Sequence, residues 1–566
     1  MKTLKRYCRV FRGVKIPWGL LAATLVISFL SIQLEVESIE ISASIIDATR
    51  STITLSDLLK YVFYLLGYGV LSVGDTYLGN LAYEKINMGV RVKLWNKIMR
   101  LPSKYYDTDN GDELISRVTS DASFASGYFE LAITSVTSLY SAVVIFIRMF
   151  AFEASLAVWM LLIIPCVIGF GAIYGYMSFH AAFRSNKATA ATTGYLAERV
   201  RNFRMIKAFA TQRREKAKAD GLFRKQFGAE TMTQMCLTVI QLGIQVISCV
   251  SVVIAFVAGG RLVANGTLTV GRLVAFYALA GTVSVNMMNL YMNFGAFTQT
   301  NGGMKKISFI LDAEEEKTDG KPMDTEDKDI RLENVSFSYS DVPVLTNVSF
   351  TIPKGKTTAV IGSNGAGKST AIKLLERMYE PSEGVIRFGD TDIQEYSLKE
   401  WRNIFALVAQ DSPLLSGTVK ENMLYGVDRE VSEEELIEVA KLANVYDFIM
   451  DTPGGFDAEV GPNGSNFSGG QRQCIAIARA LMCNPRYLLL DEATSNLDVN
   501  CEHCVSGAFA NLMKGRTTLM IAHSYTATRA ADYVVVMKNG QVEEMGTPDE
   551  LLETNSYYRI FAGADE

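Results

Sequence analysis

The sequence predicts a multi-domain protein in which an all-α transmembrane domain of six helices precedes an α/β domain. Three observations lead to this fold class. Long apolar runs fill the first 300 residues, a short polar stretch follows, and β-branched runs then alternate with helical patterns. A chain of 566 residues also exceeds the usual size of one domain. The net charge is −5, whereas nucleic-acid binding needs a strongly basic surface. This charge argues against a nucleic-acid-binding protein.

Six apolar runs account for the first domain, which we place at residues 1–310. Each run is long enough to cross a hydrocarbon layer of about 30 Å, which takes about 20 helical residues. The predicted spans are residues 16–32, 61–81, 131–147, 154–180, 235–260 and 273–296. The last apolar runs are longer than a bilayer requires, which predicts helices that tilt or continue into a cytoplasmic bundle.

The charges around the first span predict the orientation. Before residue 16 the chain carries six basic residues and no acidic one: Lys2, Lys5, Arg6, Arg9, Arg12 and Lys15. Basic residues favour the cytoplasmic side, and six spans return the chain to that side. We therefore expect a multi-pass cell-membrane protein in contact with membrane lipid, with its N-terminus and second domain in the cytoplasm. A cleaved signal peptide is the alternative, but no small-residue cleavage site follows and five more spans do.

A polar linker at residues 311–329 separates the two predicted domains. It is rich in Asp, Glu and Lys and contains the helix breakers Gly320 and Pro322. After it, residues 330–566 alternate short apolar strands, such as 358–361 and 487–490, with helical patterns. This alternation is typical of an α/β domain.

A glycine-rich motif between an apolar strand and an amphipathic helix predicts a P-loop NTPase. Glycines let backbone N–H groups surround phosphate oxygens, and the helix N-terminus adds partial positive charge. Lys368 is expected to reach the β- and γ-phosphates of ATP, and the Ser369 hydroxyl to bind Mg²⁺. The predicted ATP-binding residues of this motif are Gly362, Ser363, Asn364, Gly365, Ala366, Gly367, Lys368, Ser369 and Thr370.

Two carboxylates end the apolar strand at 487–490. Asp491 is expected to hold Mg²⁺ through water, and Glu492 to polarise the water that attacks ATP. A strand ending in Asp-Glu is common by itself, and the P-loop upstream makes this one specific.

With these motifs, Phe467-Ser468-Gly469-Gly470-Gln471 resembles the signature of the ABC transporter family. The resemblance covers nearly the whole chain and implies the exporter-type (type IV) transmembrane fold and a dimer. ATP would then lie between the P-loop of one subunit and Ser468, Gly469, Gly470 and Gln471 of the other. By the same resemblance Tyr339 stacks on adenine, Gln410 is a further ATP and Mg²⁺ ligand, Ser495–Asp498 form the D-loop, and His523 is a catalytic residue beside Glu492.

Four positions depart from the usual pattern of the family. Phe467 replaces a leucine, Cys474 replaces an arginine, Pro462 stands where glutamate is common, and Ser524 stands where arginine is common. The first two remove no phosphate ligand. The last two are expected to affect the coupling between domains.

The resemblance implies an ATP hydrolase coupled to transport by alternating access. The preferred interpretation is an exporter of a small amphiphilic molecule, lipid or peptide. The alternatives are an importer on the same fold, for example of a metal chelate, which nothing in the sequence separates from an exporter, and an ABC-type regulatory or channel module. A homodimer is favoured over a heterodimer, because this chain keeps both Glu492 and an intact Ser-Gly-Gly-Gln motif. The sequence does not identify the transported substrate.

Three amides in the sixth span suggest a substrate pathway. Asn286, Asn289 and Asn293 are spaced i, i+3, i+7 and share one helix face. Amides are unfavourable against lipid, so they should face a cavity or a neighbouring helix. The alternative is that they only hold the bundle together by interhelical hydrogen bonds. Asp75 in the second span is a further candidate for the same cavity.

The pair Cys501 and Cys504, with His503 between them, resembles a metal or redox motif. No second pair of ligand spacing accompanies it, whereas a zinc site needs about four ligands. We therefore expect these residues on a helix surface.

Overall fold

The computed structural model describes residues 2–48, 53–108, 111–161, 163–339, 342–491 and 499–563. The chain forms two compact units. The first comprises Met1–Arg100 and Asp109–Ala313, and the second comprises Leu101–Thr108 and Glu314–Glu566. The short segment Leu101–Thr108 therefore groups with the C-terminal unit, in which Ser103 Oγ lies 3.1 Å from Met378 Sδ.

Among its described residues, the first unit is helical apart from its connections. Its helices are α1 (Lys2–Phe11), α2 (Trp18–Asp47), α3 (Leu55–Ile98), α5 (Gly111–Ser116), α6 (Ala122–Ser126), α7 (Tyr128–Phe152), α8 (Ala154–Leu161), α9 (Ile163–Arg201), α10 (Phe203–Ala208), α11 (Gln212–Ala264) and α12 (Val270–Asp312); α4 (Lys104–Thr108) belongs to the second unit. A π-helical turn, Arg117–Asp121, joins α5 to α6. An all-α first domain is thus confirmed.

Four helical stretches of the described chain are long and apolar enough to cross a membrane. They are Trp18–Asp47, Glu113–Phe152, Gln212–Ala264 and Val270–Asp312. The predicted span 61–81 lies on α3. The predicted span 154–180 lies on α8 and α9, and residue 162 between them is not among the residues that the structure describes. Six spans remain the prediction of the sequence.

Several helices are much longer than a bilayer is thick. The 53 residues of α11 extend for about 80 Å at a rise of 1.5 Å per residue, against about 30 Å of hydrocarbon. Such a helix continues past any membrane it crosses. Two apolar clusters hold the bundle together: Val36, Ile145 and Phe276 join α2, α7 and α12, while Ile86 and Ile307 join α3 to α12.

The second unit is built around a six-stranded sheet of order β12-β11-β3-β10-β9-β6, with a four-stranded sheet of order β2-β1-β4-β5 and a two-stranded ribbon of β7 and β8. The strands are β1 (Ile330–Ser338), β2 (Pro343–Ile352), β3 (Thr357–Gly362), β4 (Glu383–Phe388), β5 (Thr391–Asp392), β6 (Phe405–Val408), β7 (Gly417–Thr418), β8 (Glu459–Val460), β9 (Tyr487–Leu490), β10 (Thr517–Ile521), β11 (Tyr533–Lys538) and β12 (Gln541–Gly546). The helices are α13 (Lys368–Leu375), α14 (Leu398–Asn403), α15 (Val419–Met423), α16 (Glu433–Leu442), α17 (Tyr446–Asp451), α18 (Gly469–Met482), α19 (Val499–Met513), α20 (Tyr525–Arg529), α21 (Pro548–Thr554) and α22 (Ser556–Phe561). The predicted α/β class is confirmed.

The central strands of the large sheet run parallel. Strand β10 pairs in parallel with β3 on one side and with β9 on the other, and β6 pairs in parallel with β9. They are mostly apolar and buried, as is usual for parallel strands, although β3 and β10 also bury Thr358 and Thr518. Their carboxyl ends therefore meet at one edge, where open α/β sheets place their ligand sites.

Candidate functional site

The P-loop follows β3 at this edge and depends on its glycines. Gly367 caps α13 with φ +93°, a left-handed conformation that side chains other than glycine rarely adopt. A Cβ on Gly362 would lie 2.1 Å from the carbonyl oxygen of Met537 on β11. Any other residue at these two positions would deform the loop or the sheet next to it.

Lys368 and Ser369 begin helix α13 and turn in opposite directions. The Lys368 ammonium group folds back over the loop and donates to the carbonyl oxygens of Gly362 at 2.8 Å and Ser363 at 3.2 Å. Ser369 Oγ donates to Asp491 Oδ1 at 3.2 Å. The P-loop serine and the carboxylate predicted to hold Mg²⁺ therefore lie side by side, although 122 residues separate them in the chain.

The sheet also brings the other predicted groups to this edge. Asp491 follows β9, and its N–H donates to the carbonyl oxygen of Val408 at the end of β6, two residues before Gln410. His523 follows β10 by two residues. Both Gln410 and His523 are exposed.

Tyr339 stands beside the P-loop helix at the end of β1. Its hydroxyl lies 3.3 Å from Thr370 Oγ1, and the Lys373 ammonium group lies 5.5 Å from its ring centre. The Tyr379 ring packs edge-on at 5.1 Å, and 46% of Tyr339 is exposed. An exposed aromatic face held in place by a second ring is suited to stacking on a base.

Two of the predicted elements lie outside the residues that the structure describes. These are Glu492, the predicted catalytic carboxylate, and Ser495–Asp498, the predicted D-loop. Their assignment rests on the sequence. The nearby Cys501 and Cys504 lie on helix α19.

The signature residues form the start of α18. Ser468 is the N-cap of this 14-residue helix: its Oγ accepts from the Gln471 N–H at 3.2 Å, and its own N–H donates to Gln471 Oε1 at 2.9 Å. This capping box leaves Ser468 and Gly469 exposed at the positive end of the helix dipole. The exposed helix start is a ready anion site, as the predicted role requires.

The structure gives each of the four unusual positions a local role: two are packed in the core, one caps a helix and one begins a turn. Phe467 and Cys474 are buried, 7% and 3% exposed, in the apolar core around α18, where a larger ring and a small thiol fill space that no phosphate reaches. Ser524 caps α20 by accepting from the Ala527 N–H at 3.4 Å. Pro462 begins a short 3₁₀ turn, Pro462–Gly464, ahead of the signature.

A hydrogen-bond network that sequence reasoning missed ties α18 to the segment after Gln410. The Arg479 guanidinium donates to the carbonyl oxygens of Asn422 at 3.0 Å and Pro413 at 3.2 Å, and to Asn422 Oδ1 at 3.1 Å. The Asn422 amide in turn donates to the carbonyl of Leu415 at 2.7 Å. Single Arg and Asn residues inside helices carry no pattern, so only the fold reveals that they hold this loop.

A second missed cluster surrounds the end of α13. Arg402 makes a two-point ion pair with Glu316 at 2.9 and 3.0 Å and donates to the carbonyl oxygen of Glu376 at 3.0 Å. Burial raises the pKa of the Glu376 carboxyl to about 7; Asp491 also raises it, whereas Arg402 opposes the shift. The α13 helix thus carries the P-loop at one end and a titratable buried carboxyl at the other.

This pKa predicts that the second unit loses stability as the pH rises. The pKa of Glu376 is raised in the fold, so the folded state binds the proton more tightly than the unfolded chain. The resulting contribution to the free energy of unfolding is fully present below the ordinary pKa of 4.5 and is lost as the pH rises past 7. The loss amounts to about 3 kcal/mol. Glu376→Gln should therefore raise the unfolding temperature of purified protein above pH 7, measured by calorimetry without nucleotide, with little gain at pH 5. The exposed Glu380→Gln is the control, and an equal effect of both variants at every pH would refute this role of Glu376.

Two of the three predicted pathway amides have partners inside the bundle. Asn286 donates to Ser141 Oγ at 2.8 Å, and Asn293 donates to Thr134 Oγ1 at 3.0 Å and Ser135 Oγ at 3.2 Å, all on α7. These bonds fit the bundle-holding alternative for both residues. Asn289, between them, is exposed.

Asp75, the fourth pathway candidate, is also bonded within the bundle. It accepts a hydrogen bond from Ser28 Oγ of α2 at 2.6 Å. This contact joins α3 to α2 and fits a bundle-holding role, so a place for Asp75 in a pathway stays a prediction.

Comparison with known proteins agrees with this arrangement. Residues 21–287 match the ABC transporter transmembrane region, and residues 345–495 match the ABC transporter family. The uncharacterized ABC transporter ATP-binding protein YknU of Bacillus subtilis (strain 168) is 31% identical over 99% of this chain and 96% of its own length. The putative multidrug export ATP-binding/permease protein YgaD of the same organism is 31% identical over 91% of this chain and 89% of its own length.

Among solved structures, a bacterial Atm1-family ABC exporter with ATP bound shares the fold. The TM-score is 0.84 at 23% identity, covering 96% of this chain and 98% of that one. In this chain the match to the ABC transporter transmembrane region comes first, and the match to the ABC transporter family follows it. The chain therefore belongs to the ABC transporter family, as a half-transporter that joins one transmembrane domain to one nucleotide-binding domain.

Proposed function

We propose that this chain is one half of an ATP-driven exporter that hydrolyses ATP and works as a homodimer by alternating access. The observation that carries the proposal is the 3.2 Å hydrogen bond between Ser369 and Asp491, which joins the P-loop to the strand of the predicted catalytic carboxylate. The long apolar helices of the same chain provide the part that such an ATPase would move.

The P-loop residues bind and orient the phosphates. When ATP binds, the Lys368 ammonium group leaves its two carbonyl acceptors and donates to the β- and γ-phosphate oxygens, because an ammonium group binds anionic acceptors more strongly. The oxygen donors of Ser369 and Asp491 fit Mg²⁺, a cation that takes oxygen ligands and few protein groups, and Gln410 is the third candidate ligand. When bound, Mg²⁺ would neutralise charge that develops on the phosphates.

The remaining site residues act on the attacking water and on the partner's nucleotide. Glu492 accepts a proton from the water, and His523 at the same edge stabilises the charge on the γ-phosphate. Ser468, Gly469, Gly470 and Gln471 offer an exposed helix start to the ATP of the other subunit. Each ATP then holds two chains together.

ATP binding can drive transport only through its greater affinity for the closed dimer. A shift of the population from 1:99 to 99:1 needs about 5.5 kcal/mol of differential binding. Two composite sites can supply this difference, because the signature end contributes only when the dimer is closed.

The same proposal gives the domain plan and the location. Residues 1–310 form the transmembrane domain with six spans, 311–329 the linker, and 330–566 the nucleotide-binding domain. The N-terminus and the nucleotide-binding domain lie in the cytoplasm of a cell-membrane protein, as the basic residues before α2 favour.

The proposal is tested with purified protein in lipid vesicles. Compounds that stimulate ATP hydrolysis identify the substrate class, and ATP-dependent flux away from the nucleotide-binding side establishes export. Flux toward that side would favour the importer, and ATP binding without any coupled flux would favour the regulatory or channel module. The similarity to YgaD, which is named a putative multidrug export ATP-binding/permease protein, supports the first outcome.

The exposed amide on α12 provides the matched mutational test. Asn289→Leu should abolish stimulation by the identified compound and leave basal hydrolysis nearly unchanged, because Asn289 is not among the amides bonded to α7. Asn293→Leu is the companion variant, and its loss of bonds to Thr134 and Ser135 should weaken folding as well. Unaltered stimulation in Asn289→Leu would remove it from the pathway.

A further inference from the structure

The N-terminal helix α1 buries one face against the bundle. Val10 and Phe11 are 0% and 9% exposed, and the Phe11 ring packs on Phe129 with centres 4.9 Å apart. The Tyr7 ring lies 4.4 Å from that of Tyr128. Helix α1 is therefore a fixed part of the first unit.

The other face of α1 and the residues after it are basic. Arg9, Arg12 and Lys15 are exposed, and the chain carries no acidic residue before residue 16. Arg9 lies on α1, whereas Arg12 and Lys15 lie in the short connection between α1 and α2. An exposed basic segment next to a membrane helix is typical of binding to an anionic membrane surface.

The short connection between α1 and α2 keeps Arg12 and Lys15 close to the start of the first apolar run. Only residues 12–17 separate α1 from α2, and six extended residues span at most about 20 Å. Helix α2 begins with Trp18, which is 66% exposed and precedes the apolar run. Tryptophan is enriched at the membrane–water interface, so this start marks the boundary of the bilayer.

Lys93 anchors the end of α1 on its buried side and leaves the side chains of Arg12 and Lys15 available. The Lys93 ammonium group of α3 donates to the carbonyl oxygens of Arg9 at 2.7 Å, Val10 at 3.0 Å and Arg12 at 2.7 Å. It thereby satisfies the open carbonyls at the C-terminal end of α1. The helix is held in place without using the side chains of Arg12 and Lys15.

Two further contacts connect α1 to the helix that leads into the nucleotide-binding domain. Arg9 forms an ion pair with Asp312, the last residue of α12, and Tyr7 donates to Asn301 Oδ1 at 2.6 Å. The polar linker begins directly after Asp312. A change at the surface of α1 therefore reaches the end of α12 through side chains in contact.

We propose that the exposed basic segment with Arg12 and Lys15 binds anionic phospholipid headgroups of the inner leaflet, and that this binding accelerates ATP hydrolysis through the Arg9–Asp312 pair. The inference rests on the proposed cytoplasmic orientation. Charge complementarity selects the partner, because anionic lipids concentrate at the inner surface and attract basic segments within a Debye length of it.

The test compares ATP hydrolysis in vesicles of phosphatidylcholine alone with hydrolysis in vesicles containing about one third phosphatidylglycerol. The parent protein should be stimulated at least about threefold by the anionic lipid, and Arg12→Gln/Lys15→Gln should lose that stimulation. Arg12→Lys/Lys15→Arg should keep it. Arg9→Gln should lose the stimulation while mass spectrometry of purified protein still finds phosphatidylglycerol retained.

The matched control changes two exposed lysines of α11, Lys216→Gln/Lys218→Gln, which lie about 25 Å along the helix from the predicted fifth span. Stimulation that survives in Arg12→Gln/Lys15→Gln, or that is lost equally in the control, overturns the proposal. If Arg12→Gln/Lys15→Gln loses hydrolysis in neutral vesicles as well, the amount of phosphatidylglycerol that the purified variant retains decides the outcome. Unchanged retention overturns the proposal, and reduced retention supports it. A parent protein that hydrolyses ATP in neither kind of vesicle contradicts the proposed function instead.

Discussion

Replacing Glu492 by glutamine is expected to stop ATP turnover while leaving ATP binding intact. The amide cannot accept a proton from the attacking water, and loss of a general base typically costs about 10²–10⁴-fold in rate. The P-loop groups that bind the phosphates are unchanged, so ATP should still close the dimer. With hydrolysis blocked, the closed form should accumulate.

Three measurements check this expectation: the rate of phosphate release, the affinity for ATP and the fraction of closed dimer, followed by a spin-label or fluorescence distance. Glu553→Gln, which neutralises an exposed carboxyl on α21, is the control for the change in charge. Hydrolysis by Glu492→Gln within a few-fold of the parent would show that another group activates the water.

Mixing two inactive variants is expected to restore hydrolysis that neither shows alone. Lys368→Ala removes the cation that reaches the phosphates, and Ser468→Arg places a bulky side chain at the exposed start of α18. Each homodimer then has two defective composite sites. A mixed dimer has one intact site, because the sound P-loop of one chain meets the sound signature of the other.

Co-expression with two different affinity tags isolates the mixed dimer for this measurement. Its ATPase rate should lie clearly above the rates of both variant homodimers, whereas a double variant carrying both changes in one chain, mixed with itself, should stay inactive. Failure of the mixed dimer to hydrolyse ATP, with both chains folded and bound to each other, would refute the arrangement across the dimer or the homodimer itself.

The sequence predicted the strand, loop and helix of the P-loop because the glycines of this motif depend on local backbone geometry. Gly362 and Gly367 occupy conformations or contacts that only glycine tolerates, so their spacing is visible without a structure. The strands at 358–361 and 487–490 were recognisable as short runs of β-branched or apolar residues, since a strand buried on both faces lacks the alternation of polar and apolar residues. The membrane domain followed from run length alone.

Contacts between distant residues had no such local signal. The partners of Asn286 and Asn293 are hydroxyls of α7 about 150 residues away, and the helical spacing that put the amides on one face said nothing of what that face touches. The Arg479–Asn422 network was unforeseen for the same reason. A hydrogen bond across a fold depends on which helix is adjacent.

What the sequence by itself determined was therefore the set of elements whose function lies in their own backbone: the P-loop, the signature helix start and the apolar helices. The tertiary structure alone decided how these elements meet. The parallel pairing of β3, β10 and β9 brings Ser369 to Asp491, and the packing around α13 places Glu376 where burial raises its pKa. The physical reason is that propensity and hydrogen bonding along the chain act over a few residues, whereas burial and charge depend on every segment that packs nearby.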